Sequence, residues 1–265
     1  METGAHRRRA EDLRQRYPFA AEVLTLYLAL LDVWDEAPIG VPSAWSVERV
    51  VPLVVKATDA AGPEPLAVAV RELVEAGRAE EILSTWLAGE DQPLAERYLA
   101  RAALWPVRAE QARAAEQARA AGRASARSGT AAQCPACGGP PQVSVRSAGG
   151  DPLVSGGREL VCARCGSSWM YSASSCPSCG ETAGSKRTVY AESHEGPVVE
   201  AAAGASTFPH LRVDACTSCH RYLIDVDLGR DARAVPDVDE LAALPLDLYA
   251  AEHGFTKITP NLMGL

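Results

Sequence analysis

Cys134-Pro-Ala-Cys137-Gly138, Leu160-Val-Cys162-Ala-Arg-Cys165-Gly166, Cys176-Pro-Ser-Cys179-Gly180 and Ala215-Cys216-Thr-Ser-Cys219-His220 hold every cysteine of this 265-residue chain. Two residues between paired cysteines let both thiolates of a tight turn point at one metal ion, and two such turns close a tetrahedral S4 shell. The glycine after three of the pairs suits a left-handed turn that offers backbone N–H groups to sulfur. One such pair is weak evidence, whereas four in a matched set point to metal. The candidate ligands are Cys134, Cys137, Cys162, Cys165, Cys176, Cys179, Cys216 and Cys219. Four knuckles can be joined in three ways. Sequential pairing, the first with the second and the third with the fourth, gives two modules of rubredoxin or zinc-ribbon type and is favoured; an interleaved arrangement competes. S4 coordination suits iron and zinc alike, so two ions of either metal are expected. A closed tetrathiolate leaves no position for substrate, which argues against hydrolytic chemistry.

Outward from the knuckles, the chain changes character. No cysteine precedes Cys134, and the first half reads as helix. Phe19, Val23, Leu26, Tyr27, Leu30, Leu31 and Trp34 recur at steps of three and four, and Leu24 and Leu28 widen the stripe into that of a central helix. A turn at 37–42 ends it. Further helices are expected over 47–60, with Pro52 near the start or as a kink, and over 66–75, 79–87 and 93–105, the last running on toward 121. Residues 122–133 lack apolar periodicity and read as a linker. The Cys-rich half offers short β-prone runs at 142–146, 159–162, 188–192, 212–215 and 222–227. Its tail returns to helix, with Asp237 as N-cap, Pro245 as a kink or split and Gly254 as C-cap. The expected fold is α+β: a helical domain over 1–121, the linker, and a tetracysteine domain over 134–265. That domain divides into rubredoxin-like modules at 134–169 and 170–230 and a C-terminal helical tail.

Composition excludes several functions. The net charge is -8, and each half is acidic when counted alone, so neither has the basic footprint that phosphate neutralisation needs. No apolar run reaches the length of a membrane span. Arg7-Arg8-Arg9 is followed by charged residues rather than by an export signal, and it reads as a solvated first helical turn in a cytoplasmic protein. In a reducing compartment the cysteines are metal ligands rather than disulfides. Cys216-Thr-Ser-Cys219-His220 also fits the c-type haem attachment pattern, but haem of that type is attached outside the cytoplasm, and the pair is the fourth of a set. His6, His194, His210, His220 and His253 have no ligand-like spacing, and most of them read as surface residues. Trp169 and Tyr222 read as packing aromatics. The sequence has no nucleophile–base constellation, phosphate loop or paired catalytic acid, so no enzyme is expected.

The knuckles, with Trp169, Tyr222-Leu223, the stretch 238–247 and Ala251-Glu252-His253-Gly254-Phe255, resemble the formate dehydrogenase accessory protein FdhE family over residues 134–255. The helical half fits at pattern level through the stretch 17–24. Ile224, Pro245 and the stretch 259–262 depart from the family's usual pattern. The resemblance implies a cytoplasmic, chaperone-like assembly factor. Such a factor binds metal, with iron implied, through the eight cysteines and acts on the formate dehydrogenase catalytic subunit, with a second copy of itself as an optional partner. Nucleic acid and membrane insertion are not expected. A zinc-ribbon nucleic-acid binder and a rubredoxin-like electron carrier are the rival readings.

Overall fold

A computed structural model describes residues 3–37, 46–120, 132–147, 157–192 and 207–264. The helices are α1 (Thr3–Arg16), α2 (Ala21–Glu36), α3 (Val51–Ala61), α4 (Glu64–Glu75), α5 (Ala79–Ala88), α6 (Leu94–Ala120), α7 (Pro236–Ala242) and α8 (Leu244–Glu252). The strands are β1 (Pro141–Arg146), β2 (Arg158–Cys162), β3 (Ser168–Met170), β4 (Arg187–Tyr190), β5 (Leu211–Cys216), β6 (Arg221–Asp227) and β7 (Thr256–Lys257). The architecture is α+β, as expected: helices first, then strands bearing the cysteines, then a helical tail. All seven strands belong to one sheet in the order β3-β2-β1-β6-β5-β4, with β7 added beside β6.

The central helix is α2. Leu24, Leu26, Tyr27, Leu28, Leu30, Leu31, Val33 and Trp34 are all buried on it, whereas Phe19, counted in the stripe, precedes it in a 3-10 turn and is 45% exposed. Trp34 stacks on Trp105 of α6 with ring centroids 4.3 Å apart. Its indole Nε1 donates to the carbonyl of Ala102 at 2.9 Å. The reason lies four residues on. Pro106 sits inside α6 and has no N–H, so the Ala102 carbonyl loses its helical partner, and Trp34 supplies the missing donor. Pro52 stands in the first turn of α3, where the π-helical stretch Ser46–Val50 passes into regular α-helix. The turn read at 37–42 and most of the linker read at 122–133 lie outside the described residues.

Two expectations change. Arg7-Arg8-Arg9 lies within α1 rather than in a solvated first turn, and Arg9 is 3% exposed. Its guanidinium donates to Asp239 of α7 and approaches Asp231, at 2.5 and 3.0 Å. A cation follows the helical period onto the buried face here because a carboxylate from the far half meets it. Asp237 is not the N-cap of α7; Val235 is, and its N–H donates to the Asp239 carboxylate at 2.7 Å. Asp237 is instead drawn to Arg108 of α6, at 3.0 and 3.1 Å. Pro245 does split the tail, since α7 ends at Ala242 and α8 begins at Leu244. Gly254 follows α8 with φ 78, the left-handed conformation expected of a C-terminal glycine.

The sheet has two unlike faces because side chains alternate along each strand. Leu211, Val213, Ala215, Tyr222, Ile224 and Val226 join the helices in one apolar core that runs through both halves of the chain. The opposite face carries a buried polar ladder. Ser144 donates to Asp225, Arg158 to Ser144 and Asp214, and Arg146 and Arg212 to Asp225, at 2.5–2.8 Å. Burial alone would push the Asp225 carboxyl up. The Ser144 hydrogen bond and the charges of Arg146 and Arg212 outweigh it and hold the group below the ordinary carboxylate range.

Trp34→Phe keeps an aromatic ring but removes part of the buried indole and strips the Ala102 carbonyl of its donor, and chemical denaturation is expected to show a loss of at least about 1–3 kcal/mol. A depressed carboxyl stabilises the fold above its unfolded value of about 3.9 and loses that contribution as pH falls through the lower folded value. The stability gap between wild type and Asp225→Asn should therefore narrow as pH is lowered below about 4, measured as unfolding midpoints across a pH series.

Candidate metal centres

The four knuckles share one local geometry. In the first three, the N–H of Gly138, Gly166 and Gly180 donates to the carbonyl of the leading cysteine, Cys134, Cys162 and Cys176, at 2.8, 3.1 and 2.9 Å. All three glycines have φ between 71 and 77. In the fourth knuckle His220 takes the same place with φ 54, the one positive φ among described non-glycine residues. A left-handed residue therefore closes all four turns, and the sequence motif hides the fourth because a histidine fills it. Backbone N–H groups turn toward sulfur: Arg164 and Cys165 donate to Cys162 Sγ at 3.3 and 3.5 Å, and Ser178 to Cys176 Sγ at 3.4 Å.

Strand direction then gathers the knuckles. The first knuckle opens into β1, which pairs antiparallel with β2, and β2 ends in the second. The third leads to β4, which pairs antiparallel with β5, and β5 ends in the fourth. Each hairpin returns the chain to its starting end, so sequential knuckles meet. Two groups of four sulfurs result, Cys134, Cys137, Cys162 and Cys165, and Cys176, Cys179, Cys216 and Cys219, each with all sulfurs within 4.8 Å of one another. This is the sequential grouping. Because β1 and β6 run parallel side by side, both groups lie at the same end of the sheet.

The donor sets suit a metal. A tetrahedral ion with metal–sulfur bonds of about 2.3 Å spaces its sulfurs about 3.8 Å apart. The Sγ separations here are 3.6 Å for Cys134–Cys165, 3.5 Å for Cys137–Cys162, and 3.8 Å for both Cys176–Cys219 and Cys179–Cys216. No disulfide forms among the eight, all of which are free. As thiols they compete for protons. A hydrogen bond with Cys134 draws Cys137 down to about 7, whereas burial pushes Cys176 up to about 12. The groups differ in exposure: three cysteines of the first are buried and one half-buried, whereas Cys179 of the second is exposed and Cys219 half-buried. The first group packs with Leu160, Trp169, Tyr171 and Leu223.

The other residues singled out from sequence fall into place. Trp169 and Tyr222 are buried packing aromatics, and Tyr222 also donates to Asp247 at 2.9 Å. His220 and His253 are exposed, but His210 is buried, with Nε2 2.7 Å from Asp239. His6 is half-buried and hydrogen-bonds Tyr27 at 2.8 Å. The surface reading fails for His210, which completes a polar contact inside the core, and holds only in part for His6; His194 lies outside the described residues. Sequence spacing missed the arginines around the sulfurs. Arg108 reaches the second knuckle from α6, where a Cβ on Gly166 would sit 3.0 Å from its Nε. Arg164 donates to the Cys137 carbonyl at 3.2 Å. Contacts separated by tens of residues leave no local period to read.

Residues 175–263 match the family model described as "FdhE, C-terminal domain". The chain is 31% identical over 131 residues to a protein FdhE homolog of Aquifex aeolicus, a stretch covering 49% of this chain and 41% of the relative. It is 37% identical over 131 residues to one of Pseudomonas aeruginosa, covering 49% and 38%. These matches therefore span less than half of each curated relative. The crystal structure of the FdhE protein from Pseudomonas aeruginosa superposes with a TM-score of 0.69 at 22% identity, covering 98% of this chain and 94% of that one. The resemblance read from the knuckles thus holds in sequence over residues 175–263, which carry the third and fourth knuckles, and in fold along the length of the chain.

A Cβ added to Gly139 would lie 2.8 Å from Cys162 Sγ and 3.0 Å from Arg164 Cβ. Gly139→Ala is expected to spread the first sulfur group and destabilise the fold by about 1–3 kcal/mol. Alkylation mapping of the purified protein should show Cys134, Cys137, Cys162 and Cys165 gaining reactivity while the second group keeps its own.

Proposed function

We propose that this chain, which carries the FdhE C-terminal domain on the fold of a solved FdhE protein, is a metal-stabilised assembly factor that acts in the cytoplasm on the catalytic subunit of formate dehydrogenase. The observation that carries the reading is the pair of closed sulfur cages in a chain of that family. The eight cysteines serve as ligands, four to each of two iron or zinc ions. The ion supplies a cross-link between the two ends of a hairpin, a contribution on the order of 10–16 kcal/mol per site in small zinc modules. The protein's own residues do the rest. The left-handed turns aim the thiolates, backbone N–H groups share their charge, and packing around Trp169 and Leu223 keeps water from the first cage.

A cage whose four positions are all filled by the chain offers nothing to a substrate, which supports a binding role over catalysis. The net charge of -8 stands against phosphate-backbone recognition, and no helix among the described residues is long and apolar enough to cross a membrane.

Protein purified without added metal is expected to hold two ions of iron or zinc per chain by elemental analysis and native mass spectrometry. Cys→Ser changes within either cage should remove one ion and abolish co-purification with the formate dehydrogenase catalytic subunit. Unaltered formate dehydrogenase activity in a strain lacking the gene would refute the assembly role, and a metal-free folded protein would refute the cages.

A further inference from the structure

The residue opposite Cys216 deserves the same reading as the ligands themselves. In the β4–β5 ladder Arg187 pairs with Cys216. Directly opposed residues of antiparallel strands project from the same face with Cβ atoms about 4.5–5.5 Å apart. The Arg187 side chain therefore leaves the sheet beside the sulfur of the second cage. It is only 10% exposed. One terminal nitrogen donates to Asp214, and the other two nitrogens, Nε and Nη1, are buried without a hydrogen-bond partner among the described residues.

Charge counting sharpens the point. The second oxygen of Asp214 accepts from Arg158 at 2.6 Å, and the Arg158 side chain is fully buried. Two buried arginines thus share one carboxylate, leaving one positive charge in excess beside the cage. Buried cations are rarely left unbalanced. Four thiolates around a divalent ion carry two negative charges. At the first cage Arg108 is paired with both oxygens of Asp237, Arg164 lies beside Cys137 and Cys162 with its Nε buried, and the cysteines are more deeply buried.

We propose that Arg187 is the counter-charge of the second cage, stabilising the loaded Cys176–Cys179–Cys216–Cys219 thiolates and slowing loss of the ion from the more open of the two sites. This rests on the metal-binding reading above. Arg187 is a positioning and charge-balancing residue, not a ligand.

The test uses the full chain loaded with zinc. Native mass spectrometry first shows two ions per wild-type chain; failure there would refute metal binding itself, before Arg187 is at issue. A chelator is then added with iodoacetamide, and the alkylated cysteines are mapped over time. In Arg187→Met, Cys176, Cys179, Cys216 and Cys219 are expected to be alkylated about 10-fold faster than in wild type, with the first cage unchanged. Arg187→Lys, which keeps the charge, should lie close to wild type. A variant that starts with one ion, its second cage already reactive and its first protected, supports the proposal equally. Equal rates in Arg187→Met and wild type would overturn it. So would loosening of both cages together, or a Lys variant as fast as the Met one, since either marks a purely structural role.

Discussion

An antiparallel hairpin brings its two ends together, and this simple constraint governs the cysteine-bearing half. A knuckle placed before the first strand of a hairpin and another at the end of the second must meet, whatever the length of the connection between them. The spacing of the knuckles therefore specifies hairpin ends. The pattern occurs twice, knuckle–strand–strand–knuckle–strand, once through β1, β2 and β3 and again through β4, β5 and β6. Parallel pairing of β1 with β6 joins the two units into one sheet and sets both cages along one end of it. The metal-binding geometry and the sheet topology are one arrangement seen at two scales.

The same alternation that aims the cysteines divides the sheet into an apolar face and a charged one. Burying Arg158, Asp214 and Asp225 would be unfavourable if any stood alone. Each instead meets at least one partner of opposite charge or a hydroxyl, and the strand register delivers those partners. The arginines let the polar face stay buried, because they offset carboxylate charge that hydrocarbon could not.

Much of this was legible in the sequence, and the exceptions share a cause. The five strands read from β-prone runs at 142–146, 159–162, 188–192, 212–215 and 222–227 match the observed ones to within two residues at every end. Helices α2 to α6 follow the apolar period. Of the three possible cysteine groupings the sequential one is favoured by the sequence, and the hairpins bring those sulfurs together. What was missed lacks a local signal. β3 and β7 are too short to show alternation, and β7 exists because β6 offers it an edge. The burial of Arg9 was hidden by its neighbours: a run of three cations reads as solvated unless Asp231 and Asp239, more than two hundred residues away, are known to face one of them. His210 was misjudged for the same reason.

The stretch 238–247, part of what marked the family resemblance, is buried for most of its length. Asp239 takes Arg9 and His210; Glu240 takes Lys257 and Gln142; Asp247 takes Lys257 and Tyr222. Gln142 in turn accepts from Arg101 of α6. Its acidic residues thus close a latch between the helical half and the sheet, and none of the three faces solvent. Likeness to the family in this stretch therefore speaks for how the two halves are held, not for how another protein is recognised. Tyr190, Tyr249 and His253 form an aromatic edge that the latch leaves open. The latch keeps α8, which carries Tyr249, in fixed relation to β4, which carries Tyr190, so the rigidity of the interior sets the shape of that exterior.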